Sequence, residues 1–179
     1  MGRKIFMAVV GAIALGALAV PAAAQTTKPI GLSVRAGVIF PTSSFGRDIG
    51  RNWFGVGGEF RVADANFGTT DRGTTSFLTV SADYYGKGSA SAVPILLNFV
   101  SMTNEFYFTG GIGVAFTRDT AGVGVPPIST GRNRTNVGYQ LGVGYNFQQG
   151  QNPLFVEAKF WGNGNSNLNA IGLYVGVRL

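Results

Sequence analysis

The chain contains no cysteine and no histidine, and only 12% of its residues are charged. Without cysteine there are no disulfides, no thiolate nucleophiles and no zinc ribbons. Without histidine, Ser-His-Asp triads, histidine bases and imidazole metal ligands are excluded together. The charged fraction is about half the ~25% usual for soluble domains. Disorder needs polarity and net charge, so it is excluded as well. Glycine takes the place of charge, with 28 residues in 179, while 45% of the chain is hydrophobic and its mean hydropathy is +0.21. Glycine is avoided inside helices, so that density argues against a helical bundle. The length fits one domain.

The first 24 residues read as an export signal. Gly2-Arg3-Lys4 is a short positive segment, Ile5 to Val20 is apolar and glycine throughout, and Pro21-Ala-Ala-Ala-Gln25 follows. Small residues at Ala22 and Ala24 form the A-x-A pattern of a cleavage site, which predicts cleavage after Ala24. The apolar run would span about 24 Å as a helix, short of a ~30 Å hydrocarbon core. The expected organisation is therefore a signal peptide over 1–24 and one domain over 25–179. Losing Arg3 and Lys4 from 14 basic residues leaves 12, against 8 acidic ones. These are scattered singly apart from Arg132 and Arg134, so no nucleic-acid partner is expected.

Beyond residue 29 the sequence alternates with period two, the signature of strands. Eight runs stand out: Ile30–Phe40, Trp53–Val62, Ser76–Tyr85, Val93–Val100, Phe106–Thr117, Asn136–Phe147, Leu154–Trp161 and Ala170–Leu179. The sixth is the clearest. Val137, Tyr139, Leu141, Val143, Tyr145 and Phe147 face one way, and Asn136, Gly138, Gln140, Gly142, Gly144 and Asn146 the other. In the fourth, Pro94 cannot donate to a ladder and is expected at the strand start or a bulge.

The polar face decides which side is inside. Water-facing strands carry Lys, Glu and Thr and avoid Gly, whereas here that face is mostly Gly, Asn, Ser and Thr. Small residues beside a few large ones suit a crowded barrel interior, with the apolar face toward lipid. Runs of about ten residues fit tilted membrane-crossing strands. Aromatics gather at the run ends in two sets, as interfacial girdles require. Phe40, Phe54, Tyr84, Phe116 and Phe160 form one, and Phe60, Phe99, Phe106, Tyr145 and Phe147 the other. The charged inward set is Arg35, Glu59, Arg61, Asp83, Glu157, Lys159 and Arg178. Isolated charges in a dry lumen are costly, so an ion-pair network is expected, with Arg35 and Glu59 as neighbours. Tyr107, Phe155, Trp161 and Tyr174 share the inward parity.

The export signal, the eight alternating runs and the terminal strand resemble small bacterial outer-membrane barrels of the OmpA/OmpX type. Arg35-Ala-Gly-Val-Ile-Phe-Pro-Thr-Ser-Ser44, Pro94-Ile-Leu-Leu-Asn98 and Gly110-Gly-Ile-Gly-Val114 are similar to the generic outer-membrane β-barrel domain. The resemblance implies an eight-stranded antiparallel up-and-down transmembrane β-barrel in the bacterial outer membrane, monomeric, with both termini in the periplasm. The outer loops would be 41–52, 86–92, 118–135 and 162–169, and the inner turns 63–75, 101–105 and 148–153. It also implies that the barrel-assembly machinery reads the last strand through Leu173, Val175, Val177 and Leu179; the chain ends in Leu where the family usually has Phe or Trp.

The Arg47, Arg51, Lys87, Arg118, Arg132 and Arg134 side chains of the outer loops suit the phosphates of lipopolysaccharide, so outer-membrane lipids are the expected partners. Lipid A acyltransferases and deacylases of this shape use an active-site histidine, which this chain lacks. The reading is accordingly a non-enzymatic barrel with a structural, envelope-integrity or surface-contact role and no cofactor or metal. A narrow porin-like channel and a secreted soluble barrel holding a small apolar ligand are the alternatives.

Overall fold

The computed structural model describes residues 31–65, 74–119, 132–147, 152–164 and 166–179. The 1–24 signal segment lies outside these residues, as do Ile30 of the first run and the core of the long 63–75 segment. Eight strands close into an antiparallel barrel in simple sequence order. They are β1 (Leu32–Pro41), β2 (Trp53–Asp64), β3 (Thr74–Lys87), β4 (Ala90–Thr103), β5 (Phe106–Asp119), β6 (Arg132–Asn146), β7 (Leu154–Asn163) and β8 (Ala170–Arg178). Closure comes from β8 pairing with β1, for example Val175 with Ala36.

The ladder is staggered. A row of paired residues leaving Gly31, just before β1, passes through Arg61, Thr79, Asn98, Gly111, Gln140, Trp161 and Ala170 and returns to β1 at Pro41. A stagger of this size tilts the strands by roughly 35–45° to the barrel axis. The tilt lifts each strand above the last, which carries Phe40, Phe54, Tyr84, Phe116 and Phe160 to one end of the barrel. Phe60, Phe99, Phe106, Tyr145 and Phe147 go to the other, where Tyr145 packs edge-on against Phe106 and Phe147. The second group shares its end with the two termini of the described barrel, Gly31 and Leu179.

Several boundaries differ from the sequence expectation, each for a local reason. The 86–92 segment is a tight hairpin, because Gly88 takes a φ of +59° and lets β3 run to Lys87 and β4 start at Ala90. At the opposite end Asn104 takes the same left-handed region at +54°, so the connection to β5 shrinks to Asn104–Glu105. β4 begins before Pro94, which lies inside the strand rather than at its start. There the β3 ladder is interrupted: Ile95 pairs with Ala82 and Ala92 with Tyr85, with no rung between, while Pro94 still faces Ala115 of β5. A residue without N–H fits where one flank leaves the rung empty. A bulge between Arg61 and Ala63 extends β2 to Asp64.

The 41–52 segment is more ordered than a plain loop. Ser43 caps a short helix, α1 (Ser44–Ile49), its Oγ accepting from the Gly46 N–H at 2.9 Å. With a 3₁₀ turn over Ser166–Leu168 it covers the barrel end remote from the termini.

The apolar parity faces outward: Leu141, Phe108, Ile112 and Val137 are each 64% exposed. Placing Leu141→Arg near the middle of this lipid face is expected to cost ~2–4 kcal/mol, whereas Leu154→Arg near the rim costs ~0–1 kcal/mol. Urea unfolding of both variants in phospholipid vesicles measures the difference, and equal losses at the two depths would show that this face does not meet lipid.

Candidate functional site

The inward parity builds the lumen in three layers. The middle layer is charged. Arg35 of β1 donates from Nε to Asp83 Oδ1 at 2.9 Å and from Nη2 to Asp83 Oδ2 at 2.8 Å, a bidentate pair. Its Nη1 donates to Glu59 Oε2 at 3.0 Å and lies 3.6 Å from Glu157 Oε2. Lys159 Nζ bridges the same two acids, 3.6 Å from Glu59 and 3.5 Å from Glu157. All five groups are buried. A buried charge is tolerable only when paired and hydrogen-bonded, and here each cation touches at least two acids.

A polar belt continues from the charges around the barrel. Lys159 Nζ donates to Gln140 Oε1 at 3.4 Å, Gln140 Nε2 to Asn98 Oδ1 at 2.6 Å, and Asn98 Nδ2 to Ser81 Oγ at 3.0 Å and Thr79 Oγ1 at 3.2 Å. Glycine makes this possible. A Cβ on Gly57 would stand 1.8 Å from Asp83 Oδ1, and one on Gly111 would stand 1.9 Å from Asn98 Oδ1. The side chains of the network occupy the space that those glycines leave.

Aromatic layers lie above and below. Toward the α1 end, Trp161 packs on Tyr85 and Tyr174 at centroid distances of 5.3 and 5.4 Å, and the Tyr85 hydroxyl donates to the Leu168 carbonyl at 2.9 Å. Leu168, Phe45 and Ile49 cover this layer. Toward the termini, Tyr107 meets Phe155 edge-on, and the Arg178 guanidinium lies over both rings, 4.6 and 5.1 Å from their centroids.

Of the seven charged residues expected in one lumen network, five converge and two do not. Arg61 keeps the inward parity but lies two residues beyond Glu59, at the rim, where it pairs with the exposed Asp64 and covers the Phe77 ring. Arg178 makes no ion pair among the described residues and donates from Nε to Asn146 Oδ1 at 3.1 Å. Arg35 and Glu59 do meet, although their strands align Arg35 with Gly57 and Ser33 with Glu59. The sequence reading missed the Asn98–Gln140 belt and the inward Trp53 and Tyr85. Their parity was the available signal. Leu173, Val175, Val177 and Leu179 form the outward edge of β8 and its end, with Leu173 and Val175 exposed. Among the described residues no acidic group is arranged to hold a metal ion.

The network predicts strong coupling. Arg35→Met leaves three acids beside one lysine and is expected to cost roughly 3–5 kcal/mol of unfolding free energy, much as breaking any buried ion pair does. Removing Asp83 in the same chain, as Arg35→Met/Asp83→Asn, restores part of the loss, so the double variant is less damaged than the sum of the singles. Chemical denaturation in detergent micelles reads all four species, and strict additivity would mean that the pair does not interact.

No protein-family model and no curated protein sequence match this chain. Solved structures do. The outer membrane enzyme PagL is similar over 83% of this chain and 97% of its own, at 17% identity and a TM-score of 0.50. The attachment invasion locus protein Ail of Yersinia pestis, solved with the heparin analogue sucrose octasulfate, is similar over 82% and 96%, at 10% identity and a TM-score of 0.44. The likeness to PagL corrects the functional reading of the sequence. A barrel of this architecture houses an enzyme, so the fold gives no ground for a non-enzymatic assignment, and the structural, channel and soluble-carrier readings built on it are withdrawn. What the comparison does establish is architectural: the chain shares the closed eight-stranded up-and-down barrel fold of that enzyme.

Proposed function

We propose that this protein is exported by a cleaved N-terminal signal, inserts as a monomer with its termini in the periplasm, and binds the phosphorylated lipid of the outer leaflet at its upper rim. The observation that carries this reading is the charge at the end remote from the termini. Arg47, Arg51, Lys87, Arg118 and Arg134 are all exposed there, against an exposed Asp48 and a buried Asp119. The opposite end balances Arg61 and Arg178 with Asp64 and Glu105 among the described residues.

Arg118 is the best placed of the five. It follows the exposed Phe116 by two residues on the outward parity of β5, one step beyond the aromatic girdle, where headgroups begin. Arg47 and Lys87 are held by the backbone, donating to the Thr42 carbonyl at 2.6 Å and the Asn52 carbonyl at 3.2 Å. Arg51, Arg118 and Arg134 make no ion pair among the described residues, so their guanidinium groups are free to fork onto phosphate oxygens. The outward row Leu173, Val175, Val177 and Leu179 presents the regular apolar edge that a barrel-assembly receptor would read in the unpaired last strand.

Membrane-extracted protein tests both parts. Its N-terminus is expected at Gln25. Native mass spectrometry from mixed micelles is expected to show retained lipopolysaccharide in preference to a zwitterionic phospholipid. Arg118→Ser/Arg134→Ser lowers that retention by about tenfold, the size of one lost charge-assisted contact, and added salt lowers it further. Retention equal for the two lipids, or unchanged in the double variant, would remove this reading.

A further inference from the structure

The outer face of the barrel is not evenly covered. A groove of about 550 Å³ crosses it between β4 and β8, walled by Phe99, Phe108, Leu141, Phe160 and Ile171. It deepens where the outward parity carries little side chain, at Gly110 of β5 and Ala158 of β7. Apart from the Ser101 hydroxyl at its lower end, no outward polar side chain lines it. Lys159 borders it by its main chain, because its ammonium is buried in the lumen cluster.

Packing within the barrel does not account for this gap. A Cβ on Gly57 or Gly111 would strike a lumen side chain, but one on Gly110 would meet only Leu141 Cδ2, at 3.7 Å. Glycine weakens a strand interior and often marks a place where another molecule comes close. The space at Gly110 is therefore open to an occupant from outside.

The groove also has a direction. Phe99, Gly110, Leu141, Phe160, Ile171 and Phe40 are successive partners along one row of the ladder. The stagger makes such rows climb toward the α1 end as they pass from β4 round to β1. From Gly110 to Ile171 is three strand spacings, roughly 14 Å, or about half of a ~30 Å hydrocarbon core. The row ends at Phe40 of the upper girdle, and Thr42 follows two residues on with the same outward parity. The Thr42 carbonyl accepts from Arg47 Nη1 at 2.6 Å, which holds a guanidinium above the groove's upper end. Arg47 makes no ion pair among the described residues, with the exposed Asp48 its neighbour in sequence.

We propose that this groove binds one acyl chain of a phosphorylated outer-leaflet lipid, its phosphate at Arg47 and its chain running down the row from Ile171 to Gly110. This rests on the reading of the upper rim as a phosphate-binding edge and adds the path of the hydrocarbon. Between groups already in lipid there is no hydrophobic driving force, so a preferred chain must be held by van der Waals fit. A recess with three aromatic rings along its walls supplies that fit to a row of methylenes. The guanidinium supplies the charge that distinguishes one lipid from its neighbours. A second barrel is the poorer occupant, because a convex wall touches only the edges of a recess.

Photolabelling in phosphatidylcholine vesicles tests this. Two probes carry the same diazirine-bearing acyl chain, one on phosphatidic acid and the other on phosphatidylcholine. The phosphatidic acid probe is expected to mark Leu141 and Phe160 at least about fivefold more than Val56 and Val80 elsewhere on the lipid face, the scale that packing within lipid allows. The phosphatidylcholine probe is expected to show no such preference. Gly110→Leu/Ala158→Leu fills the groove and is expected to abolish the preference. Gly58→Leu, at an outward glycine of β2 where a Cβ also has room, leaves it unchanged. Arg47→Ser reduces the phosphatidic acid preference to the phosphatidylcholine level. Even labelling of all four positions, or a preference that survives in the filled variant, would overturn the proposal even where lipopolysaccharide is still retained at the rim. A groove preference equal for both lipids and indifferent to Arg47→Ser would overturn the phosphate assignment, and with it the rim reading at this position. Gly110→Cys adds the sole cysteine to the chain, and a disulfide-linked dimer of that variant in the same vesicles would put a second copy in the groove and overturn the lipid.

Discussion

The interior depends on one guanidinium. Arg35 stands in the middle of a closed lumen with Asp83, Glu59 and Glu157 around it. A charge in that position is admissible only if its acids are supplied from other strands, and they come from β2, β3 and β7. Lys159 is then needed to compensate the third acid, and Gln140 and Asn98 to satisfy the lysine and carry its hydrogen bonding round the wall. Glycine follows from the same requirement, since the Arg35 and Asp83 side chains fill the space in front of Gly57. The polar belt and the small residues of the inward face are thus consequences of a single buried cation.

The aromatic layers take their places from this centre. A charged layer exposed to water at either end would be screened and loosened. Trp161, Tyr85 and Tyr174 close it toward α1, and Tyr107 and Phe155 flank it toward the termini. The two ends are unequal. The α1 end is covered by Leu168 and the helix, whereas the end of the termini keeps a cavity that reaches Glu59.

Strand count, facing and lumen membership were legible because a strand has only two faces. Once the alternation of Val137–Phe147 identifies the apolar parity, every inward residue on that strand follows. What parity does not contain is height. Arg35, Glu59, Asp83, Glu157 and Lys159 share a layer with one another but not with Arg61 or Arg178, and only the stagger of the ladder separates them. The bulge after Arg61 and the left-handed Gly88 and Asn104 were illegible for a related reason. Each is a local backbone event that shifts register or shortens a turn, and an alternation pattern averages over such events. Whether a barrel catalyses a reaction is still less visible, because the fold does not carry that information.

The cluster also lies across the seam of the cylinder. Arg35 is on the first strand, Glu157 and Lys159 are on the seventh, and between them stands only β8, the strand whose pairing with β1 completes the wall. In an open sheet, Arg35 keeps Glu59 and Asp83 from its own flank, while the lysine and the remaining acid sit at the far margin with no access to them. Joining the margins brings the two half-sets together, so the last ion contacts form only when the wall is complete. The buried charges thereby act as a latch, one that rewards the closed cylinder over any sheet with the same strands left open.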